Sequence, residues 1–324
     1  MNRHRLQLEA ALRAVAVTSP TSFAWFGRRS RPLPRAVAAE LDPQSARDVL
    51  IDGLLRVLYG SFYTQGRPVP VGLNGAPGRT DPAFVEALSR ANAGTGGRQD
   101  GWRVERVERG VAEVERLGLR ARMPLAGCRR GELVSVDRPK ESLDGCPGFY
   151  MALGDLEPGV GPDGIEERVY FNVRAEGVVT LVTACTRLLN QGRIPFDLKV
   201  IGHPGTAARC DAAVLYLERG GFRRAHELLR AIVTGCGPHV HGDPPALTRP
   251  LAPGVSVGEH AIGLGPSFGA SRCRVLAEAI VAAHERGVTR LPDRMDAVAR
   301  RFAERGLDVD ALHLAPGSSE HYAL

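Results

Sequence analysis

Leu50, Leu54, Val57 and Leu58 recur at helical spacing within residues 43–65, and the flanking residues agree with that period. Asp42 is placed to cap this helix, Pro43 suits its first turn and Gly66 follows its end. A second helix is expected from Asp81-Pro82 to about Ala93, so the first hundred residues read as mainly helical. The pattern changes at ANAGTGGRQDG, residues 91–101. Beyond it, WRVERVERGVAEVERLGLRARM alternates apolar with charged positions around Gly110. That alternation predicts a two-stranded hairpin, whose second arm also reads as a short helix. Short strands are expected over 132–137 and 148–153, followed by the turn-rich loop GDLEPGVGPDGIEE.

From residue 168 the periods sharpen. RVYFNVR alternates, placing Arg168, Tyr170, Asn172 and Arg174 on one strand face and Val169, Phe171 and Val173 on the other. Residues 177–191 form an amphipathic helix with Val178, Leu181, Val182, Cys185, Leu188 and Leu189 on one side. FDLKVIG and DAAVLYLE read as strands, and FRRAHELLRAIVTG as a helix. The order is β-α-β-β-α, and its first three elements form a crossover unit expected to be right-handed. A proline-rich segment, GPHVHGDPPALTRPLAPG, precedes helices near 271–286 and 292–305. The expected fold class is α+β: a helical N-terminal part packed on a mixed β-sheet domain with flanking helices. Residues 1–98 are the expected region for peptide or partner recognition, and 99–324 the expected α+β catalytic domain.

Composition narrows the class. With 324 residues, 44% hydrophobic and 24% charged, the chain reads as an ordinary globular protein with a substantial core. A net charge of +6 permits an anionic ligand, but the arginines are spread along the chain and no basic run is interleaved with aromatics, so no nucleic-acid partner is expected. The N-terminal MNRHRLQLEAALRAVAV lacks the apolar stretch of a signal peptide, and no later segment reaches bilayer length. A cytoplasmic location without a membrane partner is the expectation. Six scattered cysteines with no CxxC pair read as reduced, structural thiols.

Of 42 basic residues only Lys140 and Lys199 are lysine. An ammonium, unlike a guanidinium, can give up its proton when buried and serve as a base. In FDLKVIG, Lys199 shares a face with Asp197 and Ile201, opposite Phe196, Leu198 and Val200. If the crossover sets this strand near RVYFNVR, Lys199 meets Arg168 and Tyr170, and burial among cations lowers its pKa. The bland alternative is that two lysines survive by chance in an arginine-rich composition. Two arginines and a phenol on one face suit a phosphate or carboxylate, although a solvent-facing strand edge reads the same way. Asp211 orients Arg209 or Lys199, or forms a structural ion pair. GLGPSFGASRCR is a turn-rich helix entry where Ser267, Ser271, Arg272 and Arg274 suit a phosphate, or an ordinary helix start; it matches neither the Walker nor the dinucleotide fingerprint. Cys236, His239 and His241 lack an obvious fourth ligand, so no metal site is expected. His203, four residues after Lys199, is a candidate acid, though loop histidines are usually only solvated.

In order along the chain, RVYFNV, LLNQGRIPFDLKV, RCDAAVLYL, LTRPLAPGVSVGE and SFGASRCRVLAEAI resemble the Hop-type bacterial type III effector family and its stand-alone relatives in peptide natural-product clusters. The resemblance spans about residues 148–286, and LYGSFYTQG (58–66) resembles the family's helical N-terminal part. It implies the chemistry of the relatives in thioamitide and class V lanthipeptide clusters. There an aminoglycoside-phosphotransferase-like kinase phosphorylates Ser or Thr of a precursor peptide bearing a leader. The Hop-like protein then eliminates phosphate, leaving dehydroalanine or dehydrobutyrine, in the manner of a phosphothreonine lyase. No cofactor is implied. Elimination needs a base, donors for the developing enolate and cations for the departing phosphate. On this resemblance Lys199 is the base, with Asp211 beside it in the catalytic set, and Tyr170 or His203 protonates the phosphate. Arg168, Arg209, Arg249 and Arg272 form the clamp, with Asn172, Thr248 and Ser267 also binding substrate.

Two positions depart from the family's pattern. Thr248-Arg249 stands where many relatives have Thr-Lys, keeping the charge but excluding proton transfer. Ser271 stands where relatives often carry another polar residue or His. The competing readings are a non-catalytic effector-like module that binds a partner through its N-terminal helices, and a phosphopeptide reader that docks beside a kinase.

Overall fold

Asn2 begins the first helix, α1 (Arg3–Ala14), by accepting from the His4 amide at 2.8 Å, which satisfies one of the donors a helix start leaves free. Described here, in a computed structural model, are residues 2–65, 79–116, 118–159, 161, 163–265 and 267–324. After α1 comes a small antiparallel sheet of β1 (Val15–Ser19), β2 (Ser22–Trp25) and β3 (Arg28–Arg29). These strands are too short to show a period, so the expectation of a mainly helical start missed them. A short helix, α2 (Arg35–Glu40), precedes α3 (Pro43–Val57), which is capped as expected: Asp42 Oδ1 accepts from the amides of Gln44 and Ser45 at 2.9 and 3.0 Å. The helix continues to Tyr63, but Leu58–Tyr63 is a π-helix. Gly66, its expected terminator, lies outside the described residues. Asp81 caps α4 (Pro82–Ala91).

A four-stranded antiparallel sheet follows, made of β4 (Gly97–Glu108), β5 (Val111–Arg116), β6 (Leu119–Pro124) and β7 (Leu133–Arg138) in the order β6-β5-β4-β7. The hairpin at Gly110 is present, and its ambiguous second arm is strand. One face carries a small core of Trp102, Val104, Ala112, Val114 and Val136.

The main sheet comprises β8 (Glu141–Ser142), β9 (Phe149–Leu153), β10 (Ile165–Phe171), β11 (Asp197–Ile201), β12 (Ala213–Glu218), β13 (Arg249–Ala252) and β14 (Val255–Ala261), in the order β13-β14-β10-β12-β11-β9-β8. Helix α5 (Ala175–Gln191) lies between β10 and β11; α6 (Gly221–Arg224) and α7 (His226–Cys236) follow β12; α8 (Phe268–Glu285) and α9 (Leu291–Ala303) follow β14. The α+β class stands, but the expected mixed sheet is antiparallel in every described pairing. The reason is that β12 inserts between β10 and β11, so the crossover through α5 joins strands that are not neighbours.

The sheet separates two cores. On one side Val169, Phe171, Leu198, Val200 and Leu215 pack against Val178, Leu181, Val182, Cys185 and Leu189 of α5 and Leu229 and Ile232 of α7. On the other, α8 packs over Tyr170 and Val214, backed by α1, α3, the π-helix and α9. Two strands were missed by the sequence pattern. β13 lies in the proline-rich segment, and β14 is buried on both faces while carrying Ser256, Gly258, Glu259 and His260, so nothing alternates. No described helix is long and apolar enough to cross a membrane.

Candidate active site

In an antiparallel sheet, residues directly opposite one another project to the same face. Lys199 of β11 and Tyr170 of β10 both stand opposite Val214 of β12, and Ser256 of β14 completes that row. In the next row Asp197, Tyr216 and Arg168 stand side by side. The expected meeting of the Lys199 face with Arg168 and Tyr170 therefore occurs, through an intervening strand rather than by direct pairing.

On this face cations and aromatic rings alternate. The Arg168 guanidinium lies 5.1 Å from the Tyr216 ring centre, and the Lys199 Nζ is 5.8 Å from the same ring. Lys199 Nζ is also 4.8 Å from the Phe149 ring, which Arg209 approaches at 5.3 Å. Such ring faces stabilise a cation without neutralising it. Each arginine has its own carboxylate. Arg168 Nε donates to Glu166 at 2.6 Å, and Arg209 donates to both oxygens of Asp211 at 2.5 and 2.8 Å. Asp211 thus orients Arg209, not Lys199. Among the described residues Lys199 makes no ion pair, so the central cation of the three is the one left for a ligand.

The π-helix roofs the aromatic end of this face. Its last residues are pinned from two sides: Cys210 N donates to Thr64 O at 2.9 Å and Ala246 N to Tyr63 O at 3.1 Å. Tyr63 stacks on Tyr59, with ring centres 5.4 Å apart, and meets Tyr170 and Phe268 at 6.5 and 6.1 Å. The rings of Tyr63 and Tyr170 meet edge to face, and the half-buried Tyr59 lies within reach of the charge of Arg209. Burial, then the charge of Asp211, raises the Tyr59 phenol to about 12. Burial also pushes up Tyr63, Tyr170 and Tyr216. All four phenols are protonated donors at neutral pH.

Glycines make this packing possible. A Cβ on Gly269 of α8 would lie 2.2 Å from the Tyr63 ring, and one on Gly258 would lie 2.9 Å from Phe268. The glycine of SFGASR thus seats an aromatic ring rather than exposing amides to a phosphate.

The other candidates lie apart from Lys199 or are occupied by the scaffold. Asn172 lies beyond the end of β10, and its amide donates to Asp243 O at 2.9 Å; Arg174 is the N-cap residue of α5. Neither continues the Arg168 face, because the chain leaves the strand after Phe171. Thr248 is buried, donates to Pro245 O and shares a hydroxyl–hydroxyl hydrogen bond with Ser256 Oγ, from which it accepts. Arg249 is exposed, with its Nε on Tyr322 O. Ser267 caps α8 by accepting from the Ala270 amide at 3.2 Å; Pro266 lies outside the described residues. His203 Nδ1 accepts from the Gly205 amide at 2.9 Å and shapes a turn.

Arg272 is fully buried. It donates to the carbonyls of Leu312, Leu314 and Glu259 and stacks on Phe268 at 4.6 Å. Burial lowers it to about 10. Its hydrogen bonds tie the C-terminal segment to the sheet.

Among the described residues no group of His, Cys, Asp or Glu is arranged to hold a metal ion. The residues missed from sequence are Tyr59, Tyr63, Phe149, Tyr216 and Glu166. The i, i+4 spacing of Tyr59 and Tyr63 was the available signal that both face one way.

Residues 141–314 match the HopA1 effector protein family. Two effector proteins of solved structure also align with the chain. One, from Pseudomonas syringae pv. tomato strain DC3000, is 17% identical over 80% of this chain and 89% of its own, with a TM-score of 0.48. The other, from Pseudomonas syringae pv. syringae strain 61, is 14% identical over 96% of this chain and 97% of its own, with a TM-score of 0.49. No curated protein matches.

Proposed function

The chain belongs to the HopA1 effector protein family, and from that premise we propose that it is a phosphoserine/phosphothreonine lyase acting on a ribosomal precursor peptide. A separate aminoglycoside-phosphotransferase-like kinase supplies the phosphorylated side chain, and the leader of the precursor keeps substrate and enzyme together. The observation that supports the reading is Lys199, without an ion pair among the described residues, between two arginine–carboxylate pairs.

In this mechanism the Lys199 Nζ takes the Cα proton of the phosphorylated residue. The C–H electron pair becomes the Cα=Cβ bond, and the Cβ–O bond breaks with its pair leaving on the phosphate. Arg209, fixed by Asp211, stabilises the charge that develops on the substrate carbonyl. Arg168 and the resulting Lys199 ammonium hold the departing phosphate. Tyr59 is a better acid than Tyr170, because it is half-buried in the field of Arg209 whereas Tyr170 lies beneath Tyr63 and Phe268. Product is dehydroalanine from Ser or dehydrobutyrine from Thr.

The test is mass spectrometry of a phosphorylated precursor incubated with wild type and with Lys199→Ala. Loss of one phosphoric acid with wild type alone supports the lyase and its base. Binding of the phosphopeptide with no mass loss, even with kinase and leader present, favours the phosphopeptide-binding module instead.

A further inference from the structure

The four-stranded sheet β4–β7 lies wholly ahead of residue 141, where the family match begins. It is fastened at its base, where Gln99 and Arg116 both donate to Glu157. Away from that base its solvent face is a charge ladder. Cross-strand rows run Arg103–Glu115–Arg120 and Arg106–Glu113–Arg122. The first row places Glu115 between two guanidiniums, leaving a positive surplus, while in the second Glu113 pairs with Arg122 and Arg106 turns to Glu108. Two open grooves of about 490 and 670 Å³ share Arg106; Arg109 and Arg122 line the first with Glu108 and Glu113, and Arg129 and Arg130 line the second with Glu105, so arginine predominates in the second.

β6 is an outer strand. Its one strand neighbour among the described residues is β5, so the opposite edge of Leu119–Pro124 presents amides and carbonyls that no strand pairs. Arg120 and Arg122 on this edge repel a second copy of the same sheet, as charged edge residues generally do. The same two charges attract a strand of opposite sign.

We propose that the β6 edge receives an extended acidic peptide segment, which adds a fifth strand and sets carboxylates on alternate residues over Arg120 and Arg122. At about 3.4 Å per residue the edge accommodates five or six residues of such a segment. The face suits peptide better than nucleic acid. Trp102, the sheet's one aromatic residue, is buried and offers no stacking surface. Glu113 and Glu115 in mid-face oppose a continuous phosphate backbone, and free strand amides match a peptide's own. The inference does not depend on the lyase reading.

Fluorescence anisotropy of the full chain with a labelled peptide alternating Glu and Val tests it. Two further peptides carry backbone N-methyl groups, one at the odd and one at the even positions. Strand addition turns alternate amides toward β6, so one methylated peptide loses binding and the other keeps it. Arg120→Glu with Arg122→Glu weakens the parent peptide by about tenfold or more, with circular dichroism checking that the sheet persists. If that variant unfolds, the methylated pair still decides. Absence of binding, equal binding of both methylated peptides, or tighter binding of oligothymidylate through the same arginines overturns the proposal.

Discussion

Lys199 and Tyr170 occupy one row of the sheet, each directly opposite Val214 on the strand between them. Two strand spacings separate their backbones, about 10 Å, and the side chain between them is a short valine. The larger side chains stand to the sides, with Phe149 and Tyr216 carrying the cations. The result is a low floor between Lys199 Nζ, which makes no ion pair among the described residues, and a set of protonated phenols, which is the span the proposed elimination needs between its base and its acid.

Replacing Lys199 by arginine separates charge from proton transfer. Arg keeps the cation over Phe149 and Tyr216 but cannot serve as a base. Lys199→Arg is therefore expected to bind phosphopeptide within a few-fold of wild type while eliminating about 10²–10⁴ times more slowly. Single-turnover mass spectrometry beside a binding titration separates the two. Undiminished turnover would mean that the side chain acts only through its charge.

Gly269→Ala tests whether the Tyr63 ring is seated by the bare helix backbone. The added methyl would lie 2.2 Å from a ring that is itself almost fully buried. The π-helix must then shift, taking Tyr59 with it. A loss of about 1–3 kcal/mol is expected from overpacking, together with a fall in elimination. Thermal melts and turnover of the same preparation give both readings, and an unchanged melting temperature would show that the ring has room to move.

What the sequence disclosed and what it hid follow from burial. RVYFNVR and FDLKVIG carry polar side chains on one face and apolar ones on the other, so alternation exposed Arg168, Tyr170 and Lys199 as neighbours in waiting. β14 is dry on both faces, and its buried polar residues erased the period. Arg272 looked like a ligand because a guanidinium suggests an anion, yet its acceptors are the carbonyls of Leu312 and Leu314, some forty residues later, and of Glu259, thirteen earlier, which no local pattern reveals. The charges of Arg209 and Asp211 were legible as a pair because they lie two residues apart. Tyr59 and Tyr63 were less so, since only the folded chain brings the π-helix over the sheet.

Arg272→Lys distinguishes a structural cation from a phosphate clamp. A lysine retains the charge but lacks the planar fork that reaches Leu312, Leu314 and Glu259 together. Breaking such a buried set costs about 3–5 kcal/mol, so the variant is expected to melt early and to release the C-terminal segment to protease. A clamp would behave differently: Lys would preserve the melting temperature and raise the KM for phosphopeptide.

The carboxyls of Glu167 and Glu259 stand opposite each other across β10 and β14, both buried, with the Tyr322 hydroxyl between them, donating to Glu259 at 2.6 Å and 3.3 Å from Glu167. Burial raises Glu167 above its ordinary 4.5, and the charge of Glu259 raises it further, against the amides of Phe222 and Gly220. A carboxyl raised in the folded state contributes stability that is complete below its unfolded pKa and is lost as pH climbs through the folded value. Glu167→Gln cannot ionise, but it offers one acceptor where Glu167 serves the two amides of Gly220 and Phe222. The variant is thus expected to be less stable than wild type at pH 4, with the gap narrowing steadily as pH rises. Urea denaturation of both proteins across that range measures the gap, and one that stays constant or widens with pH would show that Glu167 is not held protonated by its neighbours.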